Sequence, residues 1–157
     1  MIVVPKVTLA RAIDAQSIAA ISRDDIEQGL GWSWTRHRVL AAIRDRSINV
    51  AVIHDRGCVM AFGIMQYGEQ KAHLSLLGVD RARRRRGLGA QLVRWLEKCA
   101  DTAGIERIQV EARADNPAAI AFYEKLGYSA SGRVTGYYQG VLDAVRFEKR
   151  LWGSTPG

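Results

Sequence analysis

Arg84-Arg85-Arg86-Gly87-Leu88-Gly89-Ala90 is the stretch on which the reading of this chain turns. An apolar run, Leu74-Ser75-Leu76-Leu77-Gly78-Val79, leads into it, and Leu88, Leu92, Trp95, Leu96, Cys99 and Ala103 follow at helical spacing. The pattern is strand, glycine-rich turn, amphipathic helix. At such a helix start several backbone N–H groups lack an intrahelical acceptor and converge at the positive end of the helix dipole. Phosphate oxygens satisfy them, and glycine lets the ligand approach the backbone closely. The arginines add fixed positive charge. The stretch predicts a phosphate cradle.

Two familiar nucleotide loops do not fit. A P-loop needs Gly-x-x-x-x-Gly-Lys followed by Ser or Thr, and the chain has no Lys-Ser or Lys-Thr. A dinucleotide fingerprint needs a third glycine where this chain has Leu92. What remains is Arg-x-x-Gly-x-Gly.

Upstream, residues 6–13 alternate as a strand. Asp14 is placed to cap a helix carrying Ile18 and Ile21, residues 24–34 read as irregular, and Thr35 caps a second helix with Val39, Leu40 and Ile43. Residues 49–54, 58–66 and 72–79 form a meander of strands. Downstream, the helix from Leu88 stops near Gly104, and residues 106–112 form a strand. Asn116-Pro117 opens a helix, because Asn caps well and Pro suits the first helical position. Ala119, Phe122, Tyr123 and Leu126 give that helix an apolar stripe, ended by Gly127. Residues 128–134 and 141–150 close the chain as two strands around the turn 135–140. The order β-α-α-β-β-β-α-β-α-β-β predicts an α/β (α+β) fold, a mixed, mostly antiparallel central sheet flanked by helices.

Composition bounds the class. The 157 residues fit one domain over 1–157, and 48% hydrophobic residues are enough for a core. Met1–Lys6 is too short and too soon charged for a secretory signal, and no apolar run has membrane-spanning length, so the expectation is a cytoplasmic protein with no membrane partner. Cys58 and Cys99 have no metal-ligand spacing, and no metal is expected. The net charge of +7 is concentrated at Arg81 and Arg83–Arg86, on the glycine turn itself. Without a recognition helix or an aromatic-basic motif, that charge points to an anionic small ligand and not to nucleic acid.

The glycine turn, together with Asn116-Pro117-Ala118-Ala119-Ile120-Ala121-Phe122-Tyr123-Glu124-Lys125-Leu126-Gly127-Tyr128, resembles the GCN5-related N-acetyltransferase family. The resemblance implies the acyl-CoA N-acyltransferase fold and acetyl-CoA as the group held by the cradle. It assigns the pyrophosphate to Arg84, Arg85, Arg86, Gly87, Leu88, Gly89 and Ala90. It assigns the pantetheine arm to Leu77, Gly78 and Val79, with Gly78 suited to a strand bulge, and to Asn116. The chain departs from the family pattern at Arg81 and Arg83, where a proline and an aromatic are frequent. The surplus arginines are expected at the 3′-phosphate.

Transfer of acetyl to an amine requires a neutral amine and a proton for the departing thiolate. The resemblance makes Tyr123 the acid, also in reach of the cofactor, and Glu111 a water-mediated base, since Glu111-Ala112-Arg113-Ala114-Asp115-Asn116 resembles the Glu-x-Arg-x-x-Asn segment of the subgroup that acetylates ribosomal-protein N-terminal alanine. His73 is the alternative base, on the strand facing the cleft. Trp32, Trp34, Tyr137 and Tyr138 are expected to line the acceptor site. The acceptor is a primary amine, either a protein N-terminus or a small molecule, and the enzyme a monomer or homodimer. A non-catalytic acyl-CoA-binding module is the competing class.

Overall fold

The computed structural model describes residues 5–152, so Met1–Val4 of the N-terminal segment lie outside the described residues. Seven strands form one sheet: β1 (Val7–Leu9), β2 (Ile48–Asp55), β3 (Cys58–Tyr67), β4 (Lys71–Val79), β5 (Arg107–Arg113), β6 (Ser129–Tyr138) and β7 (Leu142–Arg150). Four helices cover it: α1 (Ala15–Ile21), α2 (Arg36–Arg44), α3 (Leu88–Thr102) and α4 (Pro117–Lys125). The spatial order is β1-β2-β3-β4-β5-β7-β6. Every neighbouring pair is antiparallel except β4 and β5, which are parallel because α3 carries the chain back between them.

Both faces of the sheet are packed, so β2 reads as a continuous apolar run. Ala51 and Ile53 face α3 and α4, in a core with Leu92, Leu96, Tyr123 and Phe147. Val50 and Val52 face α1 and α2, in a second core with Ile18, Val39 and Phe62. Leu92 and Leu96 are fully buried. Burial of each contributes about 1.5–3 kcal/mol, which fixes α3, and with it the glycine turn, against the sheet.

The element order matches the sequence expectation, and several bounds shift for identifiable reasons. The first strand shortens to Val7–Leu9 because Asp14 accepts from the Arg11 N–H at 2.8 Å and from His54 at 2.8 Å. These bonds fold Ala12–Asp14 into one 3₁₀ turn, which Asp14 caps in place of α1. The expected irregular segment begins as a widened helical turn over Ser22–Ile26 that continues α1. The expected turn at 135–140 is largely strand. β6 runs on to Tyr138, with a register shift between Val134 and Tyr138.

Candidate active site

β4 and β5 pair only from Lys71↔Arg107 to Leu74↔Val110, although β4 continues to Val79 and β5 to Arg113. Beyond that point the strands diverge and leave a wedge. The wedge begins where β4 is bulged. Ile64 pairs with Leu76 and Met65 with Leu74, so Ser75 is the extra residue. This corrects the expectation that placed the bulge at Gly78. Gly78 is paired with Phe62, and its glycine has a different cause. A Cβ there would lie 2.7 Å from Phe62 and 2.8 Å from Ile26.

The wedge is lined by Leu77, Gly78, Val79, Glu111, Asn116 and Tyr123. It opens into a cleft of about 730 Å³ bounded by the glycine turn and α4. Arg84, Arg85, Gly87, Leu88, Gly89 and Ala90 line that cleft, again with Asn116 and Tyr123. Arg85 and Gly87 both have positive φ, +67° and +74°. These reversals turn the chain sharply enough to start α3 at Leu88, at the floor of the cleft. The geometry suits a nucleotide pyrophosphate with a slender arm entering the wedge.

Three arginines contribute no free charge to this site: Arg81, expected at the 3′-phosphate, lies outside wedge and cleft and is paired with Asp25 at 3.4 Å. Arg86 lines neither wedge nor cleft. Arg83 lies at the cleft edge but donates to Asp55 at 2.7 Å, so its charge is balanced within the fold. Asn116 Oδ1 accepts from the Ala119 N–H at 3.1 Å and caps α4, which leaves its Nδ2 as the free donor.

Tyr123 is 6% exposed and packs edge-on against Phe122 and Tyr128. Burial raises its phenol above the ordinary range, so it holds its proton at every physiological pH. It lines both wedge and cleft.

On the other side of the wedge lies a groove of about 530 Å³ between the sheet and the α1–α2 segment. Its walls include Trp34, His73, Ser75, Tyr137, Tyr138 and Gln139. Ser75 and Tyr138 line both groove and wedge and mark where the two meet. Trp32, expected here, lines none of the three cavities. It is 43% exposed and lies under Arg23, at 5.4 Å.

Glu111 is the electrostatic centre. Its side chain is 2% exposed. One oxygen accepts from Tyr137 at 3.0 Å and is hydrogen-bonded to His73 Nε2; the other accepts from Gln109 at 2.8 Å and Arg146 at 2.9 Å. Burial alone would raise this carboxyl. The bonds from His73, Arg146 and Gln109 outweigh it and hold the group down at about 2. Both neighbouring tyrosines reach this centre, because the register shift in β6 breaks the alternation of faces. Tyr138 donates to the Glu111 carbonyl at 3.3 Å.

Composition and periodicity gave no sign of a second buried carboxylate, Glu27, at 6% exposure. Burial pushes it up, but bonds from Ser33, Trp34 and Ser22 bring it below its ordinary value. It ties the segment 27–34 into a roof over the groove. Arg113 Nη1 fastens the same roof to β5 through the carbonyls of Gln28 at 2.7 Å and Ile26 at 3.2 Å. The sequence signals are weak: a Glu followed by Ser33-Trp34, and an Arg at the end of a strand.

Among the described residues no helix is long and apolar enough to cross a membrane. Residues 17–128 match the family model described as the acetyltransferase (GNAT) family. Over 115 residues the chain is 34% identical to the [ribosomal protein bS18]-alanine N-acetyltransferase of Salmonella typhimurium, covering 71% of this chain and 77% of that protein. The crystal structure of the ribosomal-protein-S18-alanine N-acetyltransferase from Escherichia coli is similar in fold, with a TM-score of 0.83 over 98% of this chain and 97% of that one at 23% identity. The PaiA N-acetyltransferase from Thermoplasma acidophilum, solved in complex with coenzyme A, has a TM-score of 0.79 over 94% of this chain and 99% of that one at 16% identity.

Proposed function

This chain belongs to the acetyltransferase (GNAT) family and is an acetyl-CoA-dependent N-acetyltransferase, and we propose that its acceptor is the N-terminal α-amine of a protein. The observation that carries this reading is the groove that meets the wedge at Ser75 and Tyr138, roofed by residues 27–34. A roofed groove ending at the reacting point suits the extended end of a chain. The 34% identity to an alanine N-acetyltransferase supports the same class of acceptor.

The chemistry agrees. An α-amine titrates near about 8 and a lysine amine near about 10.4. At pH 7 roughly a tenth of α-amines are neutral, against well under a thousandth of lysine amines. No strong base is needed for the former.

Acetyl-CoA supplies an activated thioester. In this reading the N–H groups of Leu88, Gly89 and Ala90, with Arg84 and Arg85, hold the pyrophosphate. The β4 backbone at Leu77–Val79 and Asn116 Nδ2 hold the arm. The amine, in a ternary complex, attacks directly from the groove, and Tyr123 gives its proton to the departing sulfur. The enzyme works in the cytoplasm, as monomer or homodimer, with no nucleic-acid or membrane partner.

Release of free CoA is measured with peptides bearing a free N-terminus, with the same peptides N-blocked but carrying an internal lysine, and with polyamines. Turnover confined to free N-termini supports the reading. Turnover confined to lysine peptides or polyamines overturns it.

A further inference from the structure

Resting on transfer to an amine at this site, we propose that His73 is the catalytic base, taking the amine's proton through the Ser75 hydroxyl, while Glu111 holds the imidazole as a positioning residue. His73 lines the groove, and its two ring nitrogens have different partners. Nε2 is hydrogen-bonded to Glu111 Oε1, and Nδ1 lies 3.2 Å from Ser75 Oγ. An ionised carboxylate only accepts, so Nε2 carries a hydrogen, and in the neutral imidazole the lone pair is then on Nδ1. That lone pair points to Ser75, the bulged residue at the junction of groove and wedge. Strand alternation puts Ser75 on the same face as His73, and the bulge brings Leu76 to that face as well, so the hydroxyl sits at the junction with an apolar neighbour beyond it.

The proton step balances. The amine N–H bond breaks and its proton passes to Ser75 Oγ, as the serine's own proton passes to Nδ1. The hydroxyl is regenerated, and His73 becomes an imidazolium whose Nε2–H faces Glu111. The carboxylate stabilises that charge. The groups around His73 on every side are consistent with this role. Gln66 on β3 and Gln109 on β5 are its paired neighbours and carry no charge. Arg146 on β7 already balances the charge of Glu111, and Tyr137 and Tyr138 on β6 are neutral phenols. Glu27, Arg38 and Asp45 line the groove from the α1–α2 side.

Glu111 is poorly suited to the task itself. Its oxygens are filled by four donors, and those bonds hold its proton affinity far below that of an amine. Taking a proton from an amine onto a carboxyl held so far below its ordinary value is strongly unfavourable.

The test is kcat against pH for wild type, His73→Gln and Ser75→Ala, with a peptide of free N-terminus and acetyl-CoA. Glutamine keeps a donor for Glu111 and removes the base. His73→Gln is expected to lower kcat at pH 7 by about 10²- to 10⁴-fold. The loss should shrink as the pH rises through the α-amine's own range, with CoA affinity and Tm unchanged. Ser75→Ala should give a smaller loss of the same pH dependence. A His73→Gln enzyme within about threefold of wild type at pH 7, or a loss that is the same at every pH, overturns the proposal, since a Glu111 base would survive this substitution. If wild type transfers only to polyamines, the acceptor reading fails, and the same comparison is made on that amine with the same two outcomes. The tautomer is read separately, in the full chain without substrate, from ¹⁵N–¹H spectra of the imidazole at pH 8. A hydrogen on Nε2 and a bare Nδ1 support the assignment; a hydrogen on Nδ1 overturns it.

Discussion

Gln139, on the wall of the groove between the sheet and the α1–α2 segment, exchanges two hydrogen bonds with Gly31, although 108 residues separate them in sequence. The Gly31 N–H donates to Gln139 Oε1 at 2.9 Å, and Gln139 Nε2 donates to the Gly31 carbonyl at 2.6 Å. Gln139 has a positive φ of 57°, so the turn between β6 and β7 is held in an unusual conformation where it meets the roof. The latch closes one side of the groove without touching the cofactor cleft. Gln139→Ala removes both bonds while leaving the two cores intact. The expected result is a rise in the acceptor's KM of about fivefold to thirtyfold, from roughly 1–2 kcal/mol of lost ordering. The Kd for CoA should not move. An unchanged KM for every amine tried means that the latch does not shape the groove.

Tyr123→Phe isolates a single hydroxyl. The ring packs against Phe122, Tyr128 and Phe147, and phenylalanine keeps all three contacts. Tm should therefore shift little. If Tyr123 is the acid, kcat falls about 10²- to 10⁴-fold with CoA binding retained. A mutant that turns over at the wild-type rate removes Tyr123 from the mechanism and leaves solvent as the proton source.

The arginines of the glycine turn separate by partner. Arg84 lines both the wedge and the cofactor cleft, whereas Arg83 is paired with Asp55 and only 25% exposed. Arg84→Ala should weaken CoA binding about tenfold, the loss of roughly one charge-assisted bond. Arg83→Ala should change the Kd less than about twofold and instead lower Tm slightly. Calorimetric titration with CoA gives both affinities. Equal losses for the two variants would mean that the cradle acts as a diffuse field and not through specific contacts.

The parts of the fold set by local chemistry could be read from the sequence. The glycine turn, the Asn116-Pro117 cap and the start of α3 each depend on residues close in the chain and appear where expected, whereas the buried stripe of α3 keeps Leu88, Leu92 and Leu96 but runs on through Val93 and Ala100 and leaves Ala103 exposed. The site depends on pairings the chain does not advertise. His73 meets Glu111 because β4 and β5 lie side by side, 38 residues apart in sequence. Arg146 meets it because β7 inserts between β5 and β6. The stretch 135–140 reads as a turn in the sequence, yet Asp143 accepts from the Gly136 N–H at 2.9 Å and β6 runs on to Tyr138. Ser75 could not be singled out, since a bulge is a property of the paired register. Trp32 and Trp34 looked equivalent in sequence. Only Trp34 faces the groove, because Glu27 accepts from its backbone N–H at 3.1 Å and fixes the turn.

Gly78 is a steric requirement of the wedge. A Cβ would lie 2.7 Å from the Phe62 ring and 2.8 Å from Ile26, and the fully buried Phe62 cannot give way. Gly78→Ala should cost about 1–3 kcal/mol, as overpacking does, measured by urea denaturation. It should also weaken CoA binding, since relief of the clash displaces β4 at the slot for the arm. A variant as stable as wild type means that Phe62 has room to move.

Glu111 also links the site to stability in acid. Its carboxyl is held at about 2, below the ordinary 4.5, so the folded state binds this proton later than the unfolded chain does. A group lowered in this way stabilises the fold fully above its ordinary value and loses that contribution as pH falls from about 4.5 to about 2. Glu27, also lowered, acts in the same direction. Wild-type Tm should therefore fall steeply below about pH 4.5. Glu111→Gln removes the carboxylate that pairs with Arg146 and His73, and should cost about 1–3 kcal/mol at pH 7. Its stability should then depend less steeply on pH, with the remaining slope owed to Glu27 and the surface carboxylates. Thermal melts of both proteins from pH 7 to pH 3 should converge as the acid strips wild type of the contribution the mutant already lacks. Parallel curves with a constant gap would mean that Glu111 titrates normally, and that its four bonds do not favour the charged form.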